Sequence, residues 1–464
     1  MVFSSVVFLF FYLPLTLLVY YAAPRKWRNV VLLFVSLIFY AWGEPVYVLI
    51  MLLSIAIDYT HGLLVEKYRE NDKKARAFVV SSVFFNLALL LFFKYYDFIV
   101  TSLTALFPGL PLHPLGIQLP IGISFYTFQT MSYTIDVYRG DARAQRSVTA
   151  FGTFVTLFPQ LIAGPIVKYK DVDEQLTGRR ENVLQFASGV ETFVCGLGKK
   201  VLLANSIGQL WDVSLQNAAS LTSLGAFLGI AAFSFQIYFD FSGYSDMAIG
   251  LGRMLGFEFK KNFDYPYISR SVTEFWRRWH ISLGSWFREY VYIPLGGSRR
   301  GRAKTYRNLL IVWALTGIWH GASWNFLLWG LWFALWLMLE KAVLLRALER
   351  VPRAFQHVYA LAVAVFGWVI FAIEDLSVMG GFIGALFGQN GLFDSSALYY
   401  LRLYGPLFVL LVLGSTPLPA RLVKSALARR PAAVYAAGVC LAGLILSTAY
   451  VVDATYNPFL YFRF

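Results

Sequence analysis

The chain has 464 residues, of which 58% are hydrophobic, 18% aromatic and only 14% charged, and its mean hydropathy is +0.59. Soluble domains carry about 25% charged residues, so this composition excludes an ordinary cytosolic protein and points to one polytopic membrane domain. Lys plus Arg outnumber Asp plus Glu by 40 to 26, a net charge of +14. The cations fall in short clusters between apolar runs, as in loops kept on the cytoplasmic side of a membrane, so membrane lipid and no nucleic acid is the expected partner.

Apolar runs suited to crossing about 30 Å of hydrocarbon are predicted at 5–21, 29–42, 46–65, 78–106, 120–138, 183–210 and 221–240, then at 306–318, 323–345, 357–373, 404–418 and 432–452. Some are short, and eleven to thirteen membrane helices are expected. The first run has no cation before it and a basic cluster, Arg25, Lys26 and Arg28, after it. This is the pattern of a retained span with the N-terminus outside, not of a signal peptide. The same orientation puts the basic stretches 67–76, 139–146, 168–180, 346–353 and 421–430 in the cytoplasm. The connections 43–46, 107–119, 211–220 and 374–396 contain no Lys or Arg. The expected organisation is one domain over 1–464: N-terminal helices to 240, a cytoplasm-facing re-entrant and interfacial region at 241–304, a hairpin at 305–345 and C-terminal helices at 346–464. The apolar stretch 151–164 lies between basic clusters and is expected to dip in and return. Cys195 and Cys440 are far apart and belong to no metal-binding spacing, so neither a disulfide framework nor a metal is expected.

Three polar constellations stand out. The first, YFDFSGYSDMAIG, places Asp240, Ser242, Tyr244 and Asp246 near the end of a predicted span; the carboxylates either cap helices and orient cations such as Arg277 or relay protons. The second, SVTEFWRRWHISLGSWFREY at 271–290, gives at 100° per residue an apolar stripe of Trp276, Trp279, Leu283, Trp286, Phe287 and Tyr290, with Arg277 and Arg288 opposite. His280 sits at the stripe's edge, and an interfacial helix with a tryptophan belt accounts for it as well as a functional role does. The third, GIWHGASWN at 317–325, puts His320 at the turn of a hairpin whose ends are both basic, hence at depth in the membrane. An ionisable group there is a functional-site hypothesis by default, with a hydrogen-bonded core histidine as the alternative. Gly317 and Gly321 leave room for a substrate or another helix. There is no GxSxG, GxxxxGK, HExxH or GxGxxG motif, which leaves two histidines, one at a cytoplasmic surface and one buried. Imidazole can take the proton of an attacking hydroxyl or thiol near neutral pH.

EFWRRWHISLGSWFREYVYIPLGG at 274–297 together with WHGASW at 319–324 resembles the signature of the membrane-bound O-acyltransferase (MBOAT) family. PIGISFYTFQTMSYTIDVYRGD at 120–141, FPQLIAGPIVKY at 158–169 and YFDFSGYSDMAIGLG at 238–252 resemble its polysaccharide-acetylating branch, typified by bacterial alginate O-acetyltransferase. The resemblance implies an all-α enzyme of the bacterial inner membrane that passes an acetyl group from a cytoplasmic donor, acetyl-CoA, towards an exopolysaccharide, with no bound cofactor. By the same resemblance His320 is the catalytic histidine and His280 the second motif histidine, at the cytoplasmic mouth of the acyl path. Asp240, Ser242, Tyr244, Asp246, Arg277, Arg278, Trp279, Trp319 and Asn325 are candidates for the donor path. The expected partner is a separate periplasmic acetyltransferase of the SGNH-hydrolase type within the exopolysaccharide machinery. Lys260, Lys261, Arg277, Arg278 and the GGSRRGR loop at 296–302 would draw a donor with several phosphates, although a generic positive-inside loop explains them equally. A D-alanyl or other acyl transferase to a cell-envelope polymer is the alternative within the family, and a proton-coupled transporter using Asp240, Asp246 and His320 the alternative outside it. No duplicated halves of the kind transporters show are present.

Overall fold

A computed structural model describes residues 1–162, 164–427, 432–453 and 460. It is helical throughout, with no strand among the described residues. A chain in lipid must satisfy its backbone polar groups internally, and helices do this segment by segment. All twelve predicted runs fall on helix. Among the described residues, seven helices are long and apolar enough to cross a membrane: Val48–Lys67, Asp72–Leu106, Ser223–Met254, Trp324–Leu348, Arg353–Ala372, Ser395–Gly414 and Val434–Asp453. The other five runs are also helical, but their helices are shorter or more polar. Ile123–Arg139 shows why: nearly every residue is buried, including Ser124, Thr127, Gln129, Thr130, Ser132, Thr134 and Asp136. Hydropathy alone does not separate a helix facing lipid from one enclosed by other helices. The basic stretch 421–430 extends from the Leu418–Leu427 helix into residues 428–430, which lie outside the described residues.

The chain divides into two units, residues 1–193 with 245–260, and 194–244 with 261–464. In the first unit, Ile123–Arg139 packs against Val48–Lys67 and Asp72–Leu90. The approach is close because Gly62 offers no Cβ to the Tyr133 ring. Asp58 is fully buried in this seam, where its carboxylate accepts from Ser82 Oγ at 2.5 Å and Asn86 Nδ2 at 2.8 Å. The 151–164 stretch is two short buried helices, Val148–Thr156 and Phe158–Leu161, and neither is long enough to cross.

The second unit is organised around the hairpin Arg302–His320 and Trp324–Leu339. Gly317 and Gly330 bring these helices together: a Cβ on Gly317 would lie 2.3 Å from Phe326 O, and one on Gly330 2.3 Å from Trp313 O. The space at Gly321 is filled by the Phe326 ring. The room predicted at Gly317 and Gly321 is therefore used by the partner helix. The 241–304 region differs from the expectation of interfacial helices in its first third. Ser223–Met254 is one helix of 32 residues, about 48 Å long, so the helix does not end at 240. Its serines and tyrosine at 242–245 are buried in protein and not spread at an interface.

Candidate active site

The predicted amphipathic helix over 271–290 is broken in the middle. Val272–Arg278 ends, Trp279 is extended, His280 adopts a left-handed conformation with φ 44° and ψ 55°, and Ile281–Phe287 begins. Left-handed backbone at a non-glycine residue costs roughly 1–3 kcal/mol and persists only where its surroundings impose it. Here the loop before the helix imposes it. Asp264 N–H donates to Arg278 O at 2.9 Å and Ile281 N–H to Asn262 O at 2.9 Å. The first helix is itself fixed at its start by the buried Glu340, which accepts from Val272 N at 2.6 Å, Thr273 N at 2.8 Å and Thr273 Oγ1 at 2.6 Å. A carboxylate suits a helix N-terminus because the first N–H groups have no partner within the helix.

This break turns His280 inward. The residue is 2% exposed, which overturns its expected place at a surface, and the tryptophan belt goes with it. Trp279 is buried against Trp368, Phe263 and Phe275, with ring centroids 4.7, 5.1 and 5.6 Å away. The His280 ring meets Phe241 edge-on at 4.7 Å. Its Nδ1 lies 3.2 Å from Asn262 Oδ1, which also accepts from Ser282 N at 3.1 Å and Ser282 Oγ at 2.9 Å. Because a backbone N–H can only donate, the Asn262 atom is the oxygen, and His280 Nδ1 carries the hydrogen. The lone pair of the neutral ring is then on Nε2. Burial pushes this imidazole down to about 3, since desolvation penalises the charged form.

That shift has a sign. Below the ordinary histidine range the unfolded chain binds a proton that the native ring refuses, so His280 lowers stability progressively as pH falls from about 6.5 towards 3. Unfolding followed in detergent is expected to show this acid limb in the native chain. It should be weaker in His280→Asn, since asparagine tolerates the left-handed backbone. An identical limb in both proteins would remove His280 as its source.

His320 closes the Arg302–His320 helix and is 7% exposed. Its ring is boxed by Trp319, Trp329 and Phe371, with centroids 5.0, 4.9 and 5.3 Å away and all three contacts near edge-on. Asn325 holds this box. It is fully buried, and its Nδ2 donates to Ile370 O at 3.2 Å and Phe371 O at 3.0 Å, pinning the end of the Arg353–Ala372 helix. Asn325 Oδ1 is buried with no hydrogen-bond partner among the described residues. Trp319 lies 6.1 Å from His280 and 5.0 Å from His320, ring centre to ring centre. The two histidines thus belong to one aromatic cluster, each in contact with Trp319.

The other candidates divide. Asp240 is buried and pairs with Lys200 at 2.8 Å, both side chains almost fully enclosed. Lys200 Nζ also donates to Asn205 Oδ1 at 2.7 Å, and Asp240 Oδ2 accepts from Leu460 N at 3.0 Å. Asp240 therefore orients Lys200, not Arg277, and being mid-helix it caps nothing. Ser242 and Tyr244 follow it in the buried helix, and Asp246 is half-buried in the other unit. Arg278 is engaged by Glu274 at 3.0 Å and by Asp264 at 3.4 Å; Lys260 pairs with Asp171 and Lys261 with Asp264, each at 2.5 Å. Arg277, Arg299, Arg300 and Arg302 are exposed. The loop that carries the last three is tied down by Asn308 Nδ2, which donates to Leu295 O and Gly297 O.

The profile of the membrane-bound O-acyltransferase family matches residues 34–381. The chain belongs to that family. Its match spans both histidines and most of both units. Among relatives, a probable alginate O-acetylase of Azotobacter vinelandii is 44% identical over 390 residues, 83% of this chain and 78% of that one. A probable alginate O-acetylase of Pseudomonas putida is 45% identical over 83% of this chain and 80% of its own. A peptidoglycan O-acetyltransferase of Helicobacter pylori is 32% identical over 84% of this chain and 80% of its own. With the family goes the class of chemistry: this is a multi-pass membrane enzyme of the O-acetyltransferase type.

Asn262, Lys200 and Glu340 were not among the predicted site residues. Lys200 and Glu340 carried a signal, a charge within a run otherwise apolar enough to enter a membrane. Asn262 carried none, because its importance comes from a loop folding back on the helix break.

Proposed function

We propose that the enzyme moves an acetyl group from acetyl-CoA, bound on the cytoplasmic side of the bacterial inner membrane, to an acceptor that serves O-acetylation of an exopolysaccharide. The observation that carries this reading is the buried aromatic cluster in which His280 and His320 lie on either side of Trp319. In the step envisaged, His320 accepts the proton of an attacking hydroxyl, the oxygen bonds to the acetyl carbon, and the carbon–sulfur bond of the thioester breaks. The departing thiolate then takes the proton from the imidazolium. His280, its Nδ1 bonded to Asn262 Oδ1 at 3.2 Å, has its ring held in the same aromatic cluster, 6.1 Å from Trp319. The relatives named as alginate O-acetylases support a polysaccharide as the final acceptor. Teichoic acid D-alanyltransferases match less of the chain, 46% of it at 27% identity for that of Bacillus subtilis. A separate periplasmic acetyltransferase of the SGNH-hydrolase type completes transfer to the polymer in this reading.

Purified protein in liposomes, given acetyl-labelled acetyl-CoA, is expected to release or transfer label. If the native protein leaves the thioester intact over the uncatalysed background, the donor assignment fails. Orientation is tested separately. Tags at Gly109 and Asn390, in connections without Lys or Arg, should be reached from outside intact cells, and a tag at Asp72 only after permeabilisation. Cytoplasmic labelling at Gly109 would reverse the assignment of every loop.

A further inference from the structure

A hollow lies in the same unit as the histidines but is built from other residues. Two connections meet there, 217–224 and 385–394, stitched by five hydrogen bonds. Ser223 N and Leu224 N donate to Gly391 O and Leu392 O, Ser223 Oγ donates to Ala385 O, and Asn390 Nδ2 donates to Ala219 O and Leu221 O. Gly388 and Gly391, both at φ 94°, make the turn that allows it. The result is a preformed cleft of about 230 Å³. Its polar wall includes Asn217, Ser220, Thr222, Asp394 and Ser396, with Tyr400 at one side. A shallower hollow continues from it along Ser395, Ser396, Tyr399 and Tyr400.

Three features of this groove point to a ligand. Thr222 is only 6% exposed, and its hydroxyl has no hydrogen-bond partner among the described residues; a buried hydroxyl left unmet is costly. Tyr399 and Tyr400 offer two rings, centroids 5.6 Å apart, along a groove whose other lining mixes hydroxyls, an amide and a carboxylate with the apolar Leu210, Val213, Leu221 and Leu228. Flat aromatic faces beside hydrogen-bonding groups suit the alternating apolar faces and hydroxyl edges of sugar rings, and two adjoining hollows suit more than one ring. The residues lining both hollows include Asp394 and no Lys or Arg, so a polyanion meets a like charge with nothing to neutralise it.

We propose that this groove binds an uncharged, hydroxyl-rich glycan segment and disfavours a polyuronate. The proposal rests on the reading of the enzyme as serving a polysaccharide, and it narrows the polymer to one with neutral sugars. Both connections lack Lys and Arg, so the groove opens on the side opposite the basic loops in the orientation proposed above.

The test is binding of cellotetraose and of tetramannuronate to the full-length protein in nanodiscs, by saturation-transfer NMR and calorimetry, beside acetyl-CoA turnover in the same preparations. Cellotetraose should bind saturably and tetramannuronate more weakly. Thr222→Val, which keeps shape but loses the hydroxyl, and Tyr400→Ala should each weaken cellotetraose by about tenfold or more, the effect of one unmet buried group. Acetyl-CoA turnover should be unchanged in Thr222→Val, which guards against misfolding in the larger substitution. No saturable cellotetraose binding, equal binding by Thr222→Val and the native protein, or tighter binding of tetramannuronate overturns the proposal. Sugar binding without acetyl-CoA turnover supports the groove and sinks the assignment of acetyl-CoA as donor; turnover without sugar binding does the reverse.

Discussion

His320→Ala is expected to abolish acetyl transfer while the protein remains at its normal level in the membrane. Positioned acid–base catalysis is worth roughly 10²–10⁴-fold, and the ring's contacts with Trp319, Trp329 and Phe371 are apolar edges that a smaller side chain leaves as a modest cavity. His320→Gln separates chemistry from structure. Glutamine can offer a hydrogen bond from the same place but cannot accept a proton as imidazole does, so it should be as inactive as alanine. The assay is acetyl-CoA turnover and polymer acetylation, normalised to inserted protein. Activity restored by glutamine would make His320 a structural hydrogen-bonding group.

The second large effect is expected at Asn262, a residue with no obvious chemistry of its own. His280→Ala should sharply reduce acetylation without preventing insertion, and Asn262→Ala should do nearly as much by another route. Its Oδ1 is the common acceptor for His280 Nδ1–H, Ser282 N–H and Ser282 Oγ–H. Removing it leaves these donors unmet at a buried site, at about 1–3 kcal/mol each, and frees the imidazole to rotate or change tautomer. Asn262→Asp keeps an acceptor oxygen and should recover part of the activity. Because both residues act through one ring, the double variant His280→Ala, Asn262→Ala should be little worse than the worse single one. Full activity in Asn262→Ala, or simple multiplication of the two effects, would separate Asn262 from the orientation of His280.

Much of this arrangement is legible in the sequence because the signals are local. The hairpin around His320 follows from two apolar runs meeting at GASW, and the buried dip at 151–164 from an apolar stretch between basic clusters. What sequence periodicity misplaced is His280. The stripe of Trp276, Trp279, Leu283 and Trp286 assumes one continuous helix, and the helix stops at Arg278 because the 262–264 backbone pairs with Arg278 and Ile281. That pairing joins residues distant enough that no helical period reports it. The same limit hid Lys200 behind Asp240, whose carboxylate was assigned to helix caps or to Arg277. Both differences have one physical origin: a side chain's partner on a distant segment leaves no trace in the local period of its own helix.

The buried pair of Lys200 and Asp240 also has a consequence for how the molecule is made. The lysine leaves the ribosome about forty residues before its counter-charge, and at ~5–20 residues per second that is an interval of roughly two to eight seconds. A lone charge near the bilayer centre costs about 2.5–3.5 kcal/mol on insertion scales, enough to keep its segment from settling while it is unmatched. Release of the Lys200 segment into its final place is thereby tied to arrival of the Ser223–Met254 helix.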